Sequence, residues 1–415
     1  MNPALRQIAL RKMALPSIPN DWDVVTVGSI AQKKPNAIVG GPFGSDLVST
    51  DYTPSGVPVI RGQNMGSSYV GGEFVFVSDE KAKVLNSNLA TDGDVVFTQR
   101  GTLGQVSVVP ERPFERYLIS QSQMKLSVDP QKFNVTFLCH YFGSSAGQQQ
   151  ILESAIQTGV PHTNLTILRG YFLPNPTLHE QHAIADALSD ADEVVAGLER
   201  VIAKKRLIKQ GAAQYLLTAR RRLPGFSGEW EVKPFGQIAR IRNVKVQTVG
   251  NPVAQKCVEL EQVEHETGRI LFWVDATNRL TVKYQFEVGD VLFGRLRPYL
   301  RKFHHADTQG VCSTEIWPLM SNVVDSGFLY HVVQSDGFIA AACEAYGTHM
   351  PRADWGKLAT YPVQAPIDPE EQVAIGNVLS DMEKEIQTLE SRLTKARAVK
   401  EGMMQNLLTG RVRLV

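Results

Sequence analysis

Two groups of side chains have the types and spacing needed to recognise a nucleic acid. Arginine and lysine match the acceptors of guanine in the major groove, and asparagine and glutamine match the donor–acceptor pair of adenine. In the first half of the chain the candidates are Arg61, Gln63, Asn64, Gln99, Arg100, His162 and Asn164. In the second half they form a basic stretch joined by Arg352, namely Arg295, Arg297, Arg301, Lys302, His304 and His305. Base reading and phosphate contact are both open for the second group, and solvation is the alternative for each single residue.

Motifs that would indicate catalysis are absent from the sequence. There is no Walker loop, dinucleotide fingerprint, H-E-x-x-H motif or nucleophile elbow, and no N-P-P-[YF] or D-P-P-Y box of an amino-methyltransferase. His179 and His182 lie three residues apart on a predicted helix but lack a third metal ligand nearby. The four cysteines have neither disulfide nor zinc spacing. The sequence therefore predicts a non-catalytic binding protein with no metal site or cofactor of its own.

Charge and hydropathy set the broad class of the protein. The 415 residues exceed one ordinary domain, 43% of them are hydrophobic, and no apolar stretch is long enough to span a membrane. We therefore expect a soluble, cytoplasmic protein with more than one domain. The formal net charge is only +1, so any binding to a nucleic acid depends on where the charges lie.

An internal repeat organises the chain. Residues 180–218 recur 191 positions later with many identities, among them Glu180, Gln181, Ile184 and Leu188. A second repeat, at an offset of 208, relates residues 15–31 to residues 223–239 and matches Trp22 with Trp230 as expected core anchors. The chain is therefore a duplication, and the order of its segments suggests that its two ends meet.

Each copy of the first repeat predicts a long helix with a coiled-coil seam. Hydrophobic residues are spaced alternately four and three apart over residues 184–202 and again over 375–393. Thr177 and Glu180 have the spacing of a capping box, and Asp368 with Pro369 provides the second helix start. We therefore expect the helices to begin near residues 178 and 369.

The charges along these helices indicate how they pair. Acidic residues concentrate in the first half of each helix and basic residues in the second. Antiparallel pairing would place opposite charges side by side, so we expect the two helices to be antiparallel. For the basic ends at 220–222 and 411–413, a solvated helix face and phosphate contact are both open.

The rest of the chain predicts two mixed α/β parts that differ from each other. Short β-branched runs alternate with glycine and proline turns, with strands expected at 57–60, 94–97, 105–109 and 289–293. A shared Gly-Asp-Val-x-Phe unit begins at Gly93 and at Gly289. Different globular parts on matching helices indicate that each half recognises something different.

The sequence resembles the specificity subunits of type I restriction-modification systems over essentially its whole length. The resemblance rests on residues 41–45 (Gly-Pro-Phe-Gly-Ser), 56–61, 93–95 and 99–101, and on the repeated Glu-Gln and Leu-Leu-Thr signatures of the helices. It implies an α+β fold with two target-recognition domains, at 1–175 and 223–366, and two antiparallel coiled-coil helices, at 176–222 and 367–415. The second domain lacks a Gly-Pro-Phe-Gly loop, so residue roles transfer less securely there.

The resemblance also implies a function and partners. Each domain would read one half of a gapped target in double-stranded DNA, and the helices would set the spacing. Two modification subunits using S-adenosylmethionine, and restriction subunits using ATP and magnesium, would supply the chemistry. Two rival interpretations are a fused restriction–methylation enzyme, whose motifs are missing, and a structural coiled-coil adaptor, which would not need two divergent domains.

Overall fold

The computed structural model describes residues 3–66, 68–157, 159–344 and 351–414. Its contacts divide the chain into two compact units. The first unit comprises residues 1–197 together with 393–415, and the second comprises residues 198–392. Each unit therefore holds one globular part and portions of both long helices, while the domain boundaries expected from the sequence stay a prediction.

The first unit is a mixture of short strands and helices, as the sequence predicts. Its strands are β1 (Asp23–Thr26), β2 (Ile38–Gly40), β3 (Tyr52–Thr53), β4 (Val57–Ile60), β5 (Val75–Val77), β6 (Leu89–Ala90), β7 (Val95–Thr98), β8 (Val106–Val108), β9 (Tyr117–Ile119), β10 (Gln123–Leu126) and β11 (Phe172–Asn175). Its helices are α1 (Pro3–Lys12), α2 (Val27–Ile30), α3 (Asp79–Val84), α4 (Val135–Gly143), α5 (Ser145–Ser154), α6 (Leu165–Arg169) and the start of α7 (Leu178–Leu216).

Three sheets organise the first unit. β1 pairs with β11, a second sheet has the order β2-β10-β7-β8, and a third has the order β3-β5-β4-β9-β6. Residues of β4, β7 and β10 are buried throughout. The apolar runs of β4 and β7 agree with this burial, whereas β10 buries Gln123 and Lys125 as well. The turn before β7 is fixed by Asp94, whose carboxylate accepts a hydrogen bond from the Thr91 amide at 2.9 Å. A core of aromatic and aliphatic side chains, Trp22 among them, connects the sheets with α4, α5 and α7.

The second unit repeats this plan. Its strands are β12 (Trp230–Pro234), β13 (Ala239–Ile241), β14 (Lys245–Gln247), β15 (Cys257–Val258), β16 (Val282–Phe286), β17 (Val291–Gly294), β18 (Phe303–His305), β19 (Gly310–Cys312), β20 (Ile316–Ser321) and β21 (Pro362–Pro366). Its helices are α8 (Phe235–Ile238), α9 (Ser326–Val332), α10 (Asp336–Cys343), α11 (Trp355–Leu358) and the start of α12 (Pro369–Leu407).

Two of the three sheets of the second unit match those of the first in order and pairing. The β12-β21 pair corresponds to β1-β11, and the order β13-β20-β17-β18 corresponds to β2-β10-β7-β8. The remaining sheet, β14-β16-β19-β15, contains a parallel pair, β15 with β19, as the first unit does at β4 and β9. The duplication seen in the helix sequence therefore extends to globular parts whose sequences have diverged.

The two long helices begin where their capping residues predict. The Thr177 hydroxyl accepts from the Glu180 amide at 3.3 Å, and the Asp368 carboxylate accepts from the Glu370 amide at 2.9 Å. The reciprocal half of the capping box differs from expectation, because the Glu180 carboxylate contacts Trp22 and Arg413 instead of the backbone. Each helix has 39 residues, and no helix among the described residues is long and apolar enough to cross a membrane.

Within each unit the helices run antiparallel, as their charges predict. In the first unit, Lys400 near the end of α12 forms an ion pair with Asp192 of α7. In the second unit, Lys209 of α7 pairs with Glu383 of α12 at 3.2 Å, and Lys205 pairs with Glu385 at 2.7 Å. Basic residues of one helix therefore face acidic residues of the other in both units.

A buried ion pair lies at the start of α7 in the first unit. Glu180 is 0% exposed, and its carboxylate accepts from the Trp22 indole at 3.1 Å and from the Arg413 guanidinium at 2.9 Å. Arg413 also lies over the Trp22 ring, 5.5 Å from its centroid, and donates to Asp21 at 3.1 Å. We call this group of Trp22, Glu180 and Arg413 the first latch.

The second unit has an equivalent group at the start of α12. Glu371 is 0% exposed and forms two hydrogen bonds with the guanidinium of Arg222, at 2.5 and 2.6 Å. Arg222 lies over the Trp230 ring at 5.5 Å. We call Trp230, Glu371 and Arg222 the second latch. Arg222 and Arg413, for which the sequence left phosphate contact open, therefore neutralise buried carboxylates within the fold.

Two histidines, the half-buried His140 and the buried His331, connect the globular parts to the long helices. His140 of α4 contacts the hydroxyl of Ser189 on α7 at 3.4 Å, and His331 of α9 contacts the hydroxyl of Ser380 on α12 at 3.0 Å. Both pairs are related by the 191-residue offset. Burial lowers the pKa of both imidazoles, to about 3 for His331, where the nearby charge of Lys209 also opposes protonation. Both rings are therefore neutral at neutral pH.

Replacing Arg222 with methionine is expected to lower the melting temperature of the protein by several degrees. The substitution leaves the buried Glu371 carboxylate without its cation, which costs more than the ion pair itself contributes. The double variant Arg222→Met with Glu371→Gln is expected to recover most of the loss, as measured by thermal unfolding followed by circular dichroism. Arg220→Met, at an exposed position two residues away, is the control. Equal destabilisation by Arg222→Met and Arg220→Met would contradict the role given to the second latch.

The stability of the protein is expected to fall as the pH drops below about 6.5, where unfolded histidine takes up a proton. Because the pKa of folded His331 is lowered, the unfolded chain binds more protons in this range, and the loss attributable to this residue reaches about 2 kcal/mol at pH 5. His331→Gln keeps a partner for Ser380 and should reduce the pH dependence of the free energy of unfolding, measured by denaturant titration. The exposed His179→Gln should leave this dependence closer to that of the unmodified protein.

Candidate nucleic-acid interface

A turn at residues 120–123 brings the candidate loops of the first unit together. The Ser120 amide donates to the carbonyl of Ile60 at 2.9 Å, and the Gln99 amide donates to the carbonyl of Ser122 at 2.7 Å. These bonds place the segment after β4 and the segment after β7 on either side of the turn. We call residues 60–64, 99–101, 120–123 and 160–164 the first loop cluster.

Two candidate stretches that are far apart in the sequence meet in this cluster. The Thr163 amide donates to the carbonyl of Gln99 at 2.9 Å, and Arg100 and His162 form an antiparallel β-bridge. Arg100 is exposed and His162 is half-buried, so both lie at the edge of the cluster. Asn164 has a structural role there, because its side-chain oxygen Oδ1 accepts a hydrogen bond from the Ile167 amide at 2.9 Å and caps α6.

The third stretch combines one buried residue with two more accessible ones. Asn64 is only 1% exposed, and its side chain donates to the carbonyls of Gly71 and Glu73 at 3.1 and 2.8 Å. Its oxygen accepts from the Arg61 amide at 3.1 Å, so Asn64 holds the loop in shape. Gln63 is exposed, and the half-buried Arg61 has a buried Nε without a hydrogen-bond partner among the described residues.

The second unit builds the same arrangement from different side chains. The Arg295 amide donates to the Glu315 carbonyl at 2.9 Å, and the Ala353 amide donates to the Arg295 carbonyl at 2.8 Å. Leu296 and Arg352 form the bridge that corresponds to Arg100 and His162. We call residues 258–262, 295–297, 313–315 and 351–354 the second loop cluster.

The basic stretch of the second half does not form a continuous basic surface. Arg301 forms an ion pair with Asp336 and donates to the Gln334 carbonyl at 2.8 Å. Lys302 donates to the carbonyl of Leu260 at 2.6 Å, which secures the loop of the second cluster. Side-chain interactions within the fold therefore occupy both cations.

The two histidines of this stretch are also occupied. His304 contacts the Gly268 carbonyl at 2.8 Å, and His305 stacks on Tyr330 with a ring separation of 5.5 Å. Burial lowers the pKa of both imidazoles, so both are uncharged at neutral pH. They contribute packing rather than positive charge.

Three arginines remain in or beside the second loop cluster. Arg297 is exposed and has a left-handed backbone, with φ of 52°. Arg352 is exposed and lies 3.1 Å from the Glu315 carboxylate, which raises its pKa. Arg295 is half-buried and lies over the Trp317 ring at 5.2 Å. Arg297 and Arg352 are thus the cations that this cluster presents at its surface.

Some residues of the clusters carry little signal in the sequence. Glu259 and Gln262 repeat the positions of Arg61 and Asn64, since the Gln262 side chain accepts from the Glu259 amide at 2.8 Å. The two loops are related by an offset of 198 residues. They share too few identical residues for the sequence to reveal this relation. The sequence around Phe43 predicts only a tight loop, yet this side chain is 85% exposed. Among the described residues no group of histidine, cysteine and acidic side chains has the arrangement of a metal site.

Comparison with known proteins places the chain among proteins of one type. Residues 19–209 match the family model described as "Type I restriction modification DNA specificity domain". The type I restriction enzyme MjaVIII specificity subunit of Methanocaldococcus jannaschii is 23% identical over 96% of this chain and 94% of its own length. The EcoDI specificity subunit of Escherichia coli is 24% identical over 45% of this chain and 42% of its own length.

Solved structures agree with the fold. The S subunit of a type I restriction-modification system from M. genitalium has a TM-score of 0.58 and 16% identity, with 94% of this chain and 96% of that one covered. A second similar chain comes from a structure that describes complex assembly and conformational transition of the type I R-M system. Its TM-score is 0.53 and its identity 14%, with 95% of this chain and 100% of that one covered. The chain thus matches the specificity-domain model over residues 19–209, is similar to a type I specificity subunit along nearly its full length, and shares the fold of a solved S subunit.

Proposed function

We propose that this chain is the DNA-recognition subunit of a type I restriction-modification complex, in which each unit reads one half of a gapped, two-part target. The observation that carries the proposal is the pair of equivalent loop clusters. Their backbone hydrogen bonds match, while the side chains differ, as with Arg100 and His162 in one cluster and Leu296 and Arg352 in the other. A shared frame with different side chains suits two different half-sites.

The contacts divide the candidate residues into two kinds. We propose that the exposed or half-exposed Arg61, Gln63, Gln99, Arg100, His162, Arg295, Arg297 and Arg352 face DNA. Asn64, Asn164, Arg301, Lys302, His304 and His305 are buried or half-buried, and hydrogen bonds, ion pairs or ring stacking within the fold engage their side chains, so we assign them to positioning the loops. Gln63 and Arg352 also have partners within the fold, the Glu73 carbonyl and the Glu315 carboxylate, but both side chains are exposed. Arg295 lies over Trp317, but its Nε has no hydrogen-bond partner among the described residues. Loop-positioning residues affect recognition through the shape of the cluster rather than through direct contact.

The long helices have the second role in the proposal. They carry the two units and dock two modification subunits, with restriction subunits completing the complex. The methylation chemistry, with S-adenosylmethionine, belongs to the modification subunits, and the use of ATP and magnesium belongs to the restriction subunits. This chain determines the DNA sequence at which the reaction takes place.

The direct test is the methylation pattern of DNA in cells that express this chain with its modification subunit. Single-molecule sequencing is expected to show a gapped adenine motif that disappears when the chain is deleted. If the modification subunit is active and binds this chain but no gapped motif appears, the proposal fails in favour of a structural adaptor.

Substitutions in the two clusters are expected to act on different halves of the motif. Arg100→Ala with His162→Ala should weaken or relax one half, and Arg297→Ala with Arg352→Ala should affect the other, each by about 5- to 100-fold in affinity. Binding to duplexes altered in one half at a time measures the effect. Lys83→Ala, an exposed cation outside both clusters, is the control. A change in both halves from either pair would contradict separate reading.

The two neighbouring residues Gln63 and Asn64 are expected to behave differently. Asn64→Ala removes two hydrogen bonds to backbone carbonyls and leaves the Arg61 amide without its acceptor, which should cost about 1–3 kcal/mol of folding free energy. Gln63→Ala, at an exposed position, should leave stability nearly unchanged and alter DNA binding alone. Denaturant unfolding and duplex binding, measured on both variants, separate the two effects. Equal stability of the two variants would remove the positioning role of Asn64.

A further inference from the structure

The most exposed large hydrophobic side chain among the described residues stands beside the first loop cluster. Phe43 is 85% exposed, and it follows β2 in the Gly-Pro-Phe-Gly segment of residues 41–44. Among the described residues, no hydrophobic core cluster of the first unit includes this ring. The ring is therefore available to contact a ligand outside the fold, as an aromatic side chain with a large apolar surface.

The loop that carries Phe43 is held firmly in place. The Gly41 amide donates to the Gln123 carbonyl at 2.8 Å, and the Gln121 side chain donates to the carbonyls of Gly44 and Leu47 at 3.0 and 2.6 Å. A Cβ atom at Gly41 would collide with the Ser120 carbonyl, so only glycine permits this close approach. The ring is therefore presented on a fixed support rather than on a loose tip.

The support is the same turn that gathers the reading loops. Residues 120–123 bind the Phe43 loop on one side and, through Ser120 and Ser122, the segments of Arg61 and Gln99 on the other. Arg61 is half-buried, and its Nε is buried without a hydrogen-bond acceptor among the described residues. An exposed ring and a half-buried guanidinium with one unpartnered nitrogen thus flank one turn.

We propose that Phe43 is a DNA wedge that stacks on a base step within the half-site read by the first unit. This inference rests on the proposed function and names one further residue that contacts DNA. Apolar side chains that enter a base step partly unstack it, and nearby cations hold the phosphates on either side. The polar groups on the same support favour DNA as the partner, because the Gln99 side-chain amide lies next to Gly40 and the Arg61 segment binds the other side of the turn.

The second unit has no phenylalanine at the position after β13 that corresponds to Phe43. After β13 the chain continues with Arg242, whose guanidinium binds the Asp290 carboxylate at 2.6 and 3.0 Å inside the unit. The sequence there lacks the Gly-Pro-Phe-Gly segment. The wedge therefore acts on one half-site only, which gives the experiment an internal reference.

The test uses the complex of this chain with its modification subunit and a duplex carrying the methylation motif. The fluorescent base 2-aminopurine replaces, one at a time, bases of the first half-site other than the methylated adenine. The unmodified complex is expected to raise the fluorescence at one base step, and Phe43→Ala is expected to abolish that rise and weaken binding by about 5- to 100-fold. Val84→Ala, which truncates a side chain 80% exposed on α3, is the matched control and should behave as the unmodified complex.

Each other outcome has a distinct meaning. If Phe43→Ala binds DNA as the unmodified complex does, or if no base step responds to the unmodified complex, the wedge is refuted. If Phe43→Ala fails to assemble with the modification subunit, Phe43 contacts protein and the wedge is again refuted. Unchanged discrimination at the second half-site shows that the variant is folded. If the unmodified complex shows no preference for the motif, the proposed function itself fails, and this inference fails with it.

Discussion

The arrangement of each unit depends on one buried ion pair at the first turn of a long helix. Glu180 and Glu371 have no solvent exposure, and a carboxylate in such a place is unfavourable unless cations and hydrogen-bond donors surround it. Arg413 and Arg222 provide these interactions, and the helix N-terminus adds its own positive end. Since each arginine follows the end of the other helix and lies over a tryptophan from the start of the globular part, one site joins three segments of the chain.

The repeat in the sequence contains more of this arrangement than the helix prediction used. The latch carboxylates, the His–Ser contacts and the Lys–acid pairs of the helices all recur at the offset of 191. Asp192 and Lys209 are related by this offset to Glu383 and Lys400. With antiparallel pairing, Asp192 meets Lys400 and Lys209 meets Glu383, so each ion pair joins one residue from each copy of the repeat. The helix starts and the strands at 57–60 and 94–97 were predicted correctly because they depend on local spacing and capping, and the antiparallel pairing because opposite charges lie at opposite ends of each helix.

The loop clusters were harder to predict because their residues meet only through tertiary hydrogen bonds. Nothing in the local sequence shows that Thr163 will bond to Gln99, or that Asn64 will turn inward to hold its own loop. The run of cations from Arg295 to His305 illustrates the same limit. Sequence proximity indicated one basic surface, but successive residues face different surroundings: Arg301 pairs with Asp336, and Lys302 donates to the Leu260 carbonyl.

Backbone hydrogen bonds hold the loops of both clusters, so the exposed side chains can differ between the two units. In each cluster the bonds that define the loops run between backbone groups, from Gln99 to Ser122 in one and from Arg295 to Glu315 in the other. Side chains at these positions can therefore change without loss of the frame, whereas the latch needs its carboxylate and guanidinium, and positions 64 and 262 need a side-chain amide. The two units can therefore differ most at the exposed positions of the clusters. Because the fold does not depend on these side chains, they can be selected for contact with different ligands.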